Sequence, residues 1–205
     1  MEMYNSETEQ VDAIRKFFKE NGTSMVIGLV LGVGGIFGWR YWQNHQISTT
    51  LEAVSGYNIV SQVLESGDES AQAAAADFIA KNKNSYGVTA ALELAKQLVA
   101  KGDLKGAATQ LQAATSQTSD VDLLALLNLR SARLYIALNE MPQALACIDK
   151  VKEANWVAEA EFLRGNVLLS QDKQDEAKAA YSKALTLSPS DFIATQLNLK
   201  LKALS

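Results

Sequence analysis

The arrangement of apolar and polar positions divides the chain into three stretches. In the first, Val11, Ile14, Phe17 and Phe18 recur at three- and four-residue spacing among Arg15, Lys16 and Lys19, as on a helix with one apolar stripe. Ser6, with Glu9 three residues later, has capping-box spacing and predicts the start of that helix. In the second stretch no charged residue occurs between Glu20 and Arg40, a gap of nineteen positions. From Ser48 onward the pattern is helix, break, helix, break. The breaks fall at Ser66-Gly67-Asp68, Asn82 to Ser85, Lys101-Gly102-Asp103, Ser116 to Asp120, Asn139 to Pro142, Asn155, and Gln171 to Asp175. No run alternates polar and apolar residues as a half-buried strand would. The expected fold class is all-α: an N-terminal transmembrane helix followed by a helical repeat array.

The uncharged stretch decides the compartment. A helix rises about 1.5 Å per residue, so about twenty residues are needed to cross a hydrocarbon core of roughly 30 Å. Met25 to Trp39 is short for this, but Thr23, Ser24 and the Trp39-Tyr41-Trp42 cluster complete the length, since aromatic rings settle at headgroup depth. A cleaved signal peptide does not fit. Its leading segment would carry Glu2, Glu7, Glu9 and Asp12, and Trp39, Arg40, Tyr41 and Trp42 follow where small residues would be needed. A soluble core helix would have to accept six glycines between Gly22 and Gly38. Each costs about 1 kcal/mol in an aqueous helix interior, whereas membrane spans tolerate them. We therefore expect residues 1–22 as a cytoplasmic juxtamembrane segment, 23–42 as a retained transmembrane helix and 43–205 as an exported domain. Arg15, Lys16 and Lys19 precede the span while only Arg40 follows closely, which places the N-terminus inside and makes a single-pass type II protein.

Gly28, Gly32 and Gly35 share one face of this helix. That face is either the tolerance for glycine common to membrane spans or a surface for close approach of another transmembrane helix. The stripe of Val11, Ile14, Phe17 and Phe18 predicts a short helix that lies on the membrane surface or docks on a partner.

Self-comparison of the last third finds a repeat. In the last unit Gly165, Leu168, Ala177, Tyr181, Ala184 and Pro189 lead to a new helix start at Ser190-Asp191, and the first five fall, 33 residues earlier, on Ala132, Tyr135, Ala144, Ile148 and Val151. A further shift of 37 gives Ala95, Leu98, Gly102, Ala107, Leu111 and Ala114, so four extra residues separate the first two units. This spacing resembles the tetratricopeptide repeat, about 34 residues of helix-turn-helix, without its early tryptophan. Ser48 to Asn82 reads as one more divergent helix pair and Asp191 to Leu204 as a capping helix.

Such an array leaves one concave surface lined by the first helix of each pair. The resemblance places Leu92, Leu129 and Phe162 at one set of equivalent lining positions and Lys96, Arg133 and Asn166 at another. Those six are the candidate partner-binding residues, able to hold an extended or helical segment with its backbone on the polar groups. The competing reading is that Leu92, Leu129 and Phe162 pack inside the array. The basic-and-Asn pattern that some such proteins use for an acidic chaperone tail is not reproduced.

Composition adds exclusions. A net charge of −4 with no basic bias gives no reason to expect nucleic acid. Histidine and cysteine occur once each, as His45 and Cys147, roughly a hundred residues apart, which disfavours a metal site, a disulfide and a Cys–His pair. No phosphate loop or nucleophile elbow is present. We expect no enzyme, no cofactor and no small-molecule substrate, with His45 a solvated interface residue and Cys147 a core residue.

Five blocks together are similar to the YfgM family, the ancillary subunit of the SecYEG translocon in Gram-negative bacteria. They are VDAIRKFFKENG (Val11 to Gly22), GWRYWQNHQ (Gly38 to Gln46), NKNSYGVTAALELAKQLV (Asn82 to Val99), LNLRSARL (Leu127 to Leu134) and LRGNVLLSQDKQDEAKAAY (Leu163 to Tyr181). The resemblance implies an inner-membrane protein with a periplasmic repeat domain. It also implies association with the SecYEG translocon and with a membrane-anchored periplasmic chaperone of the prolyl-isomerase type. The function expected from it is a scaffold linking translocation to periplasmic folding, with unfolded exported chains as further clients. The alternative is a tethered regulator acting through its cytoplasmic segment in stress signalling.

Overall fold

The computed structural model describes residues 7–66, 68–187 and 190–204, and among them every regular element is helical. The candidate cap Ser6, the break residue Gly67 and the repeat position Pro189 lie outside the described residues. Helix α1 (Glu7–Leu64) is followed by α2 (Glu69–Lys81), α3 (Ser85–Ala100), α4 (Leu104–Ala114), a 3-10 turn (Thr115–Gln117), α5 (Val121–Ala137), α6 (Met141–Ile148), α7 (Ala154–Ser170), α8 (Gln174–Thr186) and α9 (Asp191–Ala203). Contacts divide the chain into two units, Met1–Glu52 and Ala53–Ser205.

The first unit is helical throughout its described part, so the expected short surface helix does not end before the span. Asn21 and Gly22 stay inside α1; the Asn21 side chain donates to the Phe17 carbonyl at 3.2 Å, and no proline intervenes. The helix is long and apolar enough to cross a membrane: its most apolar 18-residue window has a mean hydropathy of 1.6, and none of that window is buried.

The second unit is built of helix pairs closed by one recurring device. Helices α3, α5 and α7 each end in a left-handed residue: Gly102 at φ 84°, Asn139 at 60° and Asp172 at 59°. After each, the next amide reaches back over the last turn, Asp103 to the Leu98 carbonyl (2.9 Å), Glu140 to Tyr135 (2.8 Å) and Lys173 to Leu168 (3.0 Å). These are Schellman closures, which satisfy carbonyls that the helix end leaves orphaned and turn the chain into the second helix. Leu98, Tyr135 and Leu168 are the positions that the repeat aligns, so its 37- and 33-residue shifts hold in three dimensions. Helix starts are set by short polar side chains: Asn84 accepts from the Tyr86 and Gly87 amides, Asp103 from Gly106, and Asp120 from Asp122 and Leu123. The break expected at Asn155 lies earlier. Asn155 is in the first turn of α7, because extended Glu153 (φ −66°, ψ 129°) is the residue that leads into that helix.

Three apolar clusters run along the array. Val60 and Leu64 join Ala71, Ala75 and Ile79 of α2 with α3, α4 and Leu127; Leu129, Ala132, Ala144, Ile148, Leu163 and Val167 form the next; Tyr181, Ala184, Ile193 and Leu197 close the end. Of the stretch Ser48 to Asn82 expected as a divergent pair, Val60 and Leu64 share the first cluster with α2, and Ile193 and Leu197 of α9 close the last one.

Candidate partner-binding surface

Each expected lining residue sits on the first helix of its pair, but the six do not form one surface. Leu129 is 0% exposed inside the middle cluster, so it cannot contact a partner and is corrected to a core residue. Phe162 is half-buried, packs against the middle and last clusters, and lies 6.1 Å from the Tyr181 ring, so most of its apolar area is spent inside the array. Asn166 accepts a hydrogen bond from the Tyr181 hydroxyl at 2.8 Å. Burial pushes that phenol up to about 12, so it stays a neutral donor.

Leu92, Lys96 and Arg133 do come together. They line an open groove of about 200 Å³ with Ala95, Val99, Leu111, Arg130 and Leu134. Its floor is apolar and its rim carries three cations. Lys96 pairs with Glu93 of its own helix at 3.0 Å, and Arg133 reaches across to Glu159 of α7. Arg130 has no ion pair among the described residues. Sequence reasoning missed it, although a signal existed: a shift of 33 puts Arg130 opposite Leu163, a basic residue in an apolar register.

Two further contacts hold neighbouring pairs in place. The Trp156 indole N–H donates to Asp122 at 2.7 Å, joining α7 to α5. Buried Glu161 meets Lys183 of α8 at 2.9 Å and Arg164 at 3.5 Å, and Arg164 also holds Asp149 at 2.6 Å. A carboxylate this buried needs such partners.

Gly28, Gly32 and Gly35 present open space: a Cβ added at any of them meets nothing within 4 Å. His45 lies exposed on α1, while Cys147 is buried, with Gln112 donating to its sulfur at 3.5 Å. Burial raises the Cys147 thiol, against a smaller opposing effect of Lys150, which leaves it protonated and inert at neutral pH.

An array of closed helix pairs with an open groove, in a chain whose N-terminal helix is long and apolar enough to cross a membrane, places the protein in the class of tetratricopeptide-like repeat proteins with a candidate membrane span. Residues 15–205 match the tetratricopeptide repeat-like domain family. The chain is 38% identical over its full length, and that of the relative, to a protein of Escherichia coli K12 named ancillary SecYEG translocon subunit. A protein of the same name from Haemophilus influenzae is 30% identical over 88% of this chain and 90% of its own. The chain belongs to this family of ancillary SecYEG translocon subunits, within the tetratricopeptide repeat-like class. Solved structures give the fold alone. One titled "MamA RS-1 ArsTM double mutant" aligns with TM-score 0.53 at 18% identity, over 74% of this chain and 93% of that one. A thermophilic tetratricopeptide protein of Thermus thermophilus aligns with TM-score 0.50 at 22% identity, over 74% and 80%.

Proposed function

We propose that this protein is a non-enzymatic scaffold of the bacterial inner membrane that associates with the SecYEG translocon and links translocation to folding in the periplasm. In this reading α1 crosses the membrane once with its N-terminus in the cytoplasm, and the repeat unit stands in the periplasm. The observation that carries it is the pairing of one membrane-length helix with a repeat array in a chain alignable end to end with a named translocon subunit. Such an array supplies binding area without catalytic groups: neighbouring pairs bury their apolar faces against each other, and the first helices leave a surface for partner segments.

Within that scaffold, Leu92, Lys96 and Arg133 receive a partner segment, and the Gly28, Gly32 and Gly35 face lets a transmembrane helix of the translocon approach closely. A membrane-anchored chaperone of the prolyl-isomerase type is the periplasmic partner, with unfolded exported chains as clients. The test is photo-crosslinking from the repeat unit in native membranes at native expression. Recovery of a translocon subunit or a periplasmic chaperone supports the reading, and recovery of neither sinks it.

A further inference from the structure

The groove follows from an irregularity in the repeat. Helix α4 has 11 residues where α6 has 8, and these three, with one extra residue in the following turn, make up the four-residue expansion between the first two units. Helix α5 packs directly along α7, whereas α3 packs on α4 and on the 3-10 turn that the expansion brings in.

Three of the same positions therefore have different fates at the two junctions. At the regular junction Leu129, Ala132, Ile148, Leu163 and Val167 are all 3% exposed or less. At the expanded junction the counterparts Ala95 and Leu111 are also buried, but Leu92 and Leu134 are only half-buried and Arg130 is exposed; all five line the groove, with Val99 beside them 41% exposed. Where Leu163 fills the regular junction, the expanded one has the exposed cation Arg130 and an unfilled apolar floor.

We propose that this expanded junction is a docking groove for an acidic peptide segment that inserts one large apolar side chain. The inserted side chain takes the place that Leu163 fills at the regular junction, and an adjacent carboxylate pairs with Arg130. The inference rests on the scaffold reading above and names the partner chemistry of its surface. Size supports it: an apolar cavity of about 150 Å³ accepts a benzene ring, and this groove offers about 200 Å³. Charge complementarity selects an acid. Lys96 and Arg133 are already met by Glu93 and Glu159, so Arg130 is the rim cation left to pair, and a basic segment would be repelled.

The test uses the full chain in detergent micelles and a rhodamine-labelled peptide Gly-Ser-Glu-Phe-Glu-Ser-Gly, read by fluorescence anisotropy. Replacing both Glu by Lys, or the Phe by Ala, should weaken binding at least about tenfold. Arg130→Glu should do the same by reversing the charge. Arg130→Leu should do so by giving the junction the residue that closes its neighbour. Position 130 is exposed, so both variants should fold, which far-ultraviolet circular dichroism with a thermal melt checks. No binding by the unchanged protein, equal binding of all three peptides, or full binding by Arg130→Glu would overturn the proposal. None of those results touches the scaffold reading, whose crosslinks are scored separately in native membranes.

Discussion

Gly165 and Tyr181 give the sharpest test of how the repeat is packed. Gly165 is buried in α7, and a Cβ added there would press on Cε1 and Cδ1 of Tyr181 and sit 2.9 Å from its Cζ. The ring cannot swing clear: it is 0% exposed, packs against Phe162, and its hydroxyl is held by Asn166. Two effects oppose each other in Gly165→Ala. Helix propensity favours alanine by about 1 kcal/mol, while overpacking a filled core costs about 1–3 kcal/mol. Because the clash is with a ring anchored at its far end, the steric cost should win, leaving about 1–2 kcal/mol of destabilisation. For a domain of this size that lowers Tm by about 2–8 °C, readable by circular dichroism of the detergent-solubilised chain. Tyr181→Ile should rescue the change, since alanine in α7 facing isoleucine in α8 copies Ala132 and Ile148 of the preceding unit, both buried in one cluster. The double variant should be more stable than the sum of the singles by about 1 kcal/mol or more. A Tm for Gly165→Ala at or above that of the unchanged chain, or additive effects in the cycle, would refute the packing argument.

Leu129→Asp should unfold the repeat unit, costing roughly 4 kcal/mol or more, because it places an unpaired charge in a closed core; Leu92→Asp, at the edge of the groove, should leave a cooperative melt. If Leu129→Asp keeps the native Tm, the assignment of that residue to the core is wrong. Tyr181→Phe should change the alkaline limb of stability. With its phenol raised to about 12 in the folded state and about 10 unfolded, Tyr181 contributes stability that is intact below about pH 10 and falls as pH rises to about 12, by about 2–3 kcal/mol in all. Urea titrations across that window should therefore show the unchanged chain losing this stability while Tyr181→Phe does not, and parallel curves would contradict it. For topology, alkaline phosphatase fused after Ser205 should be active in intact cells and a fusion before Glu7 inactive; the reverse result would invert the orientation argued from Arg15, Lys16 and Lys19.

What the sequence determined by itself is what depends on local pattern. The charge-free run from Asn21 to Trp39, most of the helix breaks and the repeat shifts are legible, because an apolar span, a Schellman closure and a polar cap are each specified by a contiguous stretch of sequence. Where local signals were weak, boundaries slid: Asn155 carried no break and Asn21-Gly22 did not end α1. The binding surface depended on which neighbours meet. Leu92 and Leu129 are the same residue at the same repeat position, yet one edges a groove and the other is sealed, because α4 is longer than α6 and alters the packing of only one junction. Repeat alignment treats the two as equivalent. Only the tertiary packing separates them, and with them it decides that Arg130 faces solvent beside an apolar floor while Leu163, at its counterpart, fills the core.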